Sequence, residues 1–122
     1  MADAQSSASH SRTGIGPLGA TLCGLAHGLL CYLSQPNPSL WSLSFAAVLP
    51  LVVVITRSRI SMKSAALFAA IGTLPYWFYT QRWVFEITSA GFVPMCFLQA
   101  LWTWLFVWAA SGLLHPPLRV RW

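Results

Sequence analysis

"TGIGPLGATLCGLAHGLLCYLSQPNPSLWSLSFAAVLPLVVVIT", residues 13–56, carries no Asp, Glu, Lys or Arg. A helix needs about 20 apolar residues to cross a bilayer. These 44 residues are too many for one crossing and about right for two. "SQPNPS", Ser34 to Ser39, divides them. Its two prolines remove amide donors and flank an Asn, a combination that favours a turn.

Outward from this stretch, the spacing of the charges supplies the remaining segments. Lys63 and Arg82 enclose 18 uncharged residues, room for one helix. Glu86 and Arg119 enclose 32, which Pro116 and Pro117 shorten to one more. The pattern predicts an all-α bundle of four transmembrane helices. They run from about Ile15 to Leu33, Leu40 to Thr56, Ser64 to Thr80 and Phe92 to Leu114. The second and third are short, at roughly 25 Å for a rise of about 1.5 Å per residue, and Pro50 and Pro75 are expected to kink them. In domain terms, 1–13 is expected to be a disordered cytoplasmic tail, 14–115 the membrane domain and 116–122 a second cytoplasmic tail.

Composition agrees. Of 122 residues, 57% are hydrophobic and 7% charged, against about 25% charged in soluble domains. With so few charges a soluble fold could not wet its surface. Four crossings put both termini on one side, together with Arg12, Arg57, Arg59, Lys63, Arg119 and Arg121. Only Arg82 falls on the other. The positive-inside rule then makes the termini cytoplasmic. The net charge of +5 is explained by topology and anionic headgroups rather than nucleic acid. The Ser- and Ala-rich start followed by Arg12 and an apolar run has the outline of a signal peptide, but no small-x-small cleavage site follows. "GLLC", ending at Cys31, has Leu30 where a lipoprotein box needs a small residue.

"PYWFYTQRWVFEITSAGF", Pro75 to Phe92, gathers seven aromatics and Glu86, one of two acidic residues in the chain. The candidates for an outer-interface role are Trp77, Arg82, Trp83 and Glu86, with Trp41, Tyr76 and Tyr79 beside them. They read as headgroup-depth anchors, or as part of a contact surface for lipid or an acyl acceptor. Arg82 and Glu86 could pair if the loop is helical, for about 0–1 kcal/mol at an exposed site.

Gly16, Ala20, Gly24 and Gly28 recur every four residues, a smooth stripe along which another helix can approach. Internal packing is the expected use, and a homodimer seam the alternative. On the last helix, Cys96, Gln99, Thr103 and Ala110 share a face expected to look into the bundle, while Trp104 and Trp108 pair on another. His27 lies mid-span, as a packing residue or a functional one. Cys23, Cys31 and Cys96 are expected to be small buried apolar residues. There is no metal-ligand spacing, phosphate loop, Ser/His/Asp set or carboxylate pair, so no catalytic, cofactor or metal residue is assigned. The first span lacks the carboxylate of small multidrug exporters. The six-to-one charge bias argues against the dual insertion common in small fluoride channels.

Read in order, two segments carry a resemblance. "LSQPNPSLWSLSFAAVLPLVVVITRSR", Leu33 to Arg59, resembles the opening of bacterial apolipoprotein N-acyltransferases: a short first span, a Pro-rich turn, a Leu-Trp start and a basic loop. "AALFAAIGTLPYWFYTQRWVFEITSAGFVPMCFLQALWTWLFVW", Ala65 to Trp108, is similar to the next two spans of that family. The resemblance covers about Leu18 to Leu114. It implies an inner-membrane protein with cytoplasmic termini and a place in lipoprotein N-acylation. The family also has about eight spans and a nitrilase-like domain whose Glu-Lys-Cys triad carries the acyl group. No residue of this chain maps onto that triad. The chain is therefore expected to be a membrane-anchoring or lipid-handling part that works with a separate nitrilase-like chain, a degenerate relative or a truncated product. The alternative is a non-catalytic helical subunit or scaffold of another membrane complex. Its partners are membrane lipids and such protein subunits.

Overall fold

The computed structural model describes residues 14–35 and 40–114, and all the regular structure in them is helical. The expectations for the two tails, and for the turn at Pro36–Pro38, lie outside the described residues. Six helices follow one another: α1 (Pro17–Leu33), α2 (Leu43–Ala46), α3 (Leu49–Arg57), α4 (Met62–Thr80), α5 (Arg82–Ile87) and α6 (Ser89–Leu114).

Each boundary has a local cause. Pro17 occupies the first turn of α1, where its missing amide costs nothing. Ser61 caps α4 by accepting from the Ser64 amide at 3.3 Å. Pro50 breaks the second segment rather than merely kinking it. It has no hydrogen to offer the Ala46 carbonyl, and Leu51 N–H donates instead to Val48, three residues back, at 3.1 Å. Ala47 and Val48 keep helical dihedrals, so α2 and α3 continue one path through a break. Pro75 and Pro94, by contrast, lie inside α4 and α6 without splitting them.

α4 is the central helix. Its buried residues are Ala65, Ala66, Ala69, Ala70, Gly72 and Thr73, all small. Small side chains on one helix let α1, α3 and α6 pack close around it. The core is completed by Ala20 of α1, Leu51, Val54 and Ile55 of α3, and Val107 of α6. On α6 the buried line is Cys96, Ala100, Thr103 and Val107. Cys96 and Thr103 are thus inside as expected, while Gln99 and Ala110 flank that line, half-buried. Outward, large apolar side chains are bare, among them Leu18, Leu22, Leu29, Phe45, Phe97, Trp102 and Leu113.

By length and composition, α6, with 26 residues, is the one described helix able to cross a bilayer unaided. Pro17–Leu33 and Leu43–Arg57 are apolar but shorter. One more link closes the bundle: Ile15 N–H donates to the Arg57 carbonyl at 2.7 Å, and Arg59 N–H to the Ile15 carbonyl at 3.0 Å. The entry to α1 is thereby clipped to the exit of α3, at the end of the bundle where Arg57 and Arg59 lie.

Candidate functional site

The α1–α4 seam comes first, because it positions everything at the opposite end. Ala20, Gly24 and Gly28 are buried. A methyl group on Gly24 would run into the Ala69 carbonyl oxygen and come within 3.0 Å of Gly72 Cα. One on Gly72 would strike the Thr21 carbonyl oxygen. Two glycines face each other here, and the backbones meet with no side chain between them. At Gly28 the neighbour is Tyr76, whose Cβ would lie 2.8 Å from an added methyl. Gly16 is different. It precedes the helix in extended conformation, and nothing lies within 4 Å of where its side chain would be. The small residues of α4 were not singled out from sequence. The signal was present in Ala65, Ala69 and Thr73, spaced every four residues as on α1.

Beyond Gly28 the seam opens outward into a groove of about 460 Å³. Leu25, Leu29 and Tyr32 line it from α1, and Pro75, Tyr76 and Tyr79 from α4. Tyr32 and Tyr79 meet edge to face at 5.1 Å. Gln35 Nε2 donates to the Tyr76 hydroxyl at 3.4 Å. The Arg82 guanidinium lies over the Tyr79 ring, 5.0 Å from its centre, within cation–π range. Groove and rim therefore form one surface: apolar at depth, tyrosines at the mouth, one cation beside them.

The four interface candidates take different positions. Arg82, Trp83 and Glu86 are exposed on α5, a helix where the sequence suggested a loop. No carboxylate pairs with Arg82 among the described residues; its partner is Tyr79, three residues earlier. Trp77 is half-buried. Its carbonyl accepts from the Cys96 thiol at 3.6 Å, and its indole N–H is enclosed without a partner. One helical turn on, buried Gln81 has an unpaired side-chain oxygen. Tyr32, which closes the groove from α1, was missed because it is a lone tyrosine in an apolar run.

His27 acquires a definite partner. Its Nδ1 lies 2.7 Å from the Ala47 carbonyl oxygen. A carbonyl only accepts, so Nδ1 carries the hydrogen. In the neutral ring Nε2 is then the acceptor, and the Cys31 thiol, 3.7 Å away, donates to it. Cys23 and Cys96 have no such neighbour; Cys96 is fully buried. Among the described residues no group of three metal-ligating side chains occurs.

A helical bundle tied by glycines, apolar on its outer faces and rimmed with aromatics at one end, is the class of molecule this geometry defines. The family model for the apolipoprotein N-acyltransferase N-terminal domain matches residues 27–122. The chain belongs to that family. Comparison with curated proteins and with solved structures gave no match.

Proposed function

We propose that this chain is the membrane-embedded, non-catalytic part of a lipoprotein N-acylating system. In this reading it crosses the bacterial cytoplasmic (inner) membrane four times, with both termini in the cytoplasm. A nitrilase-like catalytic part, on the same polypeptide or another, moves an acyl group from phospholipid to the N-terminal amine of a lipoprotein. The bundle's contribution is to anchor that part and hold lipid near it.

The family match carries the reading. Two features support it. The outer faces are bare Leu, Phe and Trp, which lipid solvates without cost. Arg57 and Arg59 lie at one end of the bundle and Arg82 at the other, the asymmetry expected for cytoplasmic termini. The 17 residues of α1 rise about 25 Å, a mismatch that local thinning and flanking polar residues accommodate.

The test is alkaline carbonate extraction of membranes from cells producing the chain, followed by purification in mild detergent with a nitrilase-like catalytic domain from this family. Retention in the membrane pellet and co-purification are expected. Release into the supernatant would overturn the membrane reading, and a membrane-bound chain that ignores the catalytic domain would overturn the anchoring role.

A further inference from the structure

The α1–α4 groove has a shape and polarity gradient of its own. It runs from Leu25 and Gly72 to Tyr32 and Tyr79. Seven residues of helix make about 10 Å, most of the roughly 15 Å depth of one leaflet's hydrocarbon. Its volume of about 460 Å³ is in the range of about 300–1,000 Å³ common for ligand sites. The absence of side chains at Gly28 and Gly72 hollows its floor. Only tyrosines bring polar atoms to its lining, and they do so at the mouth, where Arg82 lies over Tyr79.

We propose that the groove is a binding site for one membrane phospholipid, with an acyl chain along Leu25, Leu29 and Pro75 and the phosphate against Arg82. This rests on the membrane reading above and adds a defined lipid position to it. Charge complementarity selects the occupant. Arg82 is exposed and has no carboxylate partner among the described residues, so its donors are available to a phosphate, which a guanidinium binds through two parallel hydrogen bonds. An apolar helix seated in the same groove would bring aliphatic side chains against that cation and leave it unanswered. An acyl chain attached to a phosphate meets both halves of the site. Stacking on Tyr79 holds the guanidinium at the mouth before lipid arrives, which reduces the ordering that binding requires.

The experiment uses the full chain in phosphatidylcholine vesicles with a phosphatidylglycerol probe bearing a photoactivatable acyl chain. Cross-linked peptides are mapped by mass spectrometry. Labelling of Leu25–Tyr32 and Pro75–Tyr79 should exceed that of the outward face of α6 at Trp102 and Phe106. Arg82→Gln should lower groove labelling about tenfold, the loss expected from one charge-assisted contact, while α6 labelling and the melting temperature stay unchanged. Ala26→Leu, which fills the groove, should lower it similarly. Equal labelling of groove and α6 would overturn the site. Equal groove labelling by the matching diacylglycerol probe would overturn the role of the phosphate. A disulfide between two Leu29→Cys chains, absent from the parent, would put a second copy in the groove and overturn the lipid. If α6 is not labelled either, the membrane reading itself fails.

Discussion

His27 of α1 donates to the carbonyl oxygen of Ala47 across 2.7 Å, and so answers the oxygen that the break at Pro50 leaves without a backbone donor. A buried acceptor left unsatisfied costs about 1–3 kcal/mol. His27→Ala should therefore lower stability in detergent by about that much. In a Pro50→Ala background the helix can close and supply Leu51 N–H to Ala47, so the cost of His27→Ala should shrink. A double-mutant cycle of thermal or chaotrope unfolding measures this coupling. Additive effects would mean that the two features are independent.

The Gly24–Gly72 contact makes a second prediction. Gly24→Leu and Gly72→Leu each force backbones apart and should cost about 1–3 kcal/mol or more. Gly16→Leu meets open space and should leave melting within about 0.5 kcal/mol of the parent. Equal behaviour of the three variants would show that the seam is not a packing surface.

Arg82 and Glu86 form no ion pair, so Glu86→Gln is expected to change stability by less than about 0.5 kcal/mol. Its effect should not depend on salt, since no Coulombic contact is there to be screened. A salt-dependent loss in unfolding experiments at low and high ionic strength would reveal a pairing.

Topology is tested by a reporter active only outside the cytoplasm. Fused after Trp122 it should be silent, and inserted within 80–89 it should be active. The opposite pattern would invert the orientation.

The chain alone is expected to form no thioester and to make no triacylated product from phospholipid and a diacylated lipoprotein peptide. Cys31 has an imidazole beside it, but it lies in α1 among helix amides already engaged, with no donors among the described residues aimed at a developing oxyanion. Purified chain is incubated with both substrates and examined by mass spectrometry. An adduct lost on Cys31→Ser would make this pair a nucleophile.

How far the sequence carried differs from element to element. The helical segments followed from gaps between charges, and Gly24 and Gly28 from their spacing, because both are properties of a single run of residues. Pro50 was legible as a disturbance. That it splits the segment, and that His27 answers the split, depends on two helices 20 residues apart lying side by side. For Arg82 the sequence offered only a conditional pairing with Glu86: a charge at i+4 is visible in sequence, whereas the approach of its guanidinium to the Tyr79 ring at i−3 depends on how the chain turns at Gln81 between α4 and α5. The groove was invisible for a similar reason. It is made of ordinary Leu, Gly and Tyr, and becomes a site only when α1 and α4 are laid together.

On the four-span reading proposed above, the break at Pro50 also bears on how the protein is made. A nascent segment leaving the translocon sideways into lipid must bring its backbone polar groups already bonded. Residues 43–57 cannot do so alone, because one oxygen waits for a side chain synthesised 20 residues earlier. In a bilayer, then, α1 should linger at the lateral gate until the second segment arrives, and the two should be released as a hairpin. Crosslinking of stalled ribosome–chain complexes should find His27 still beside the translocon when residue 57 has cleared the exit tunnel, and gone from it shortly afterwards.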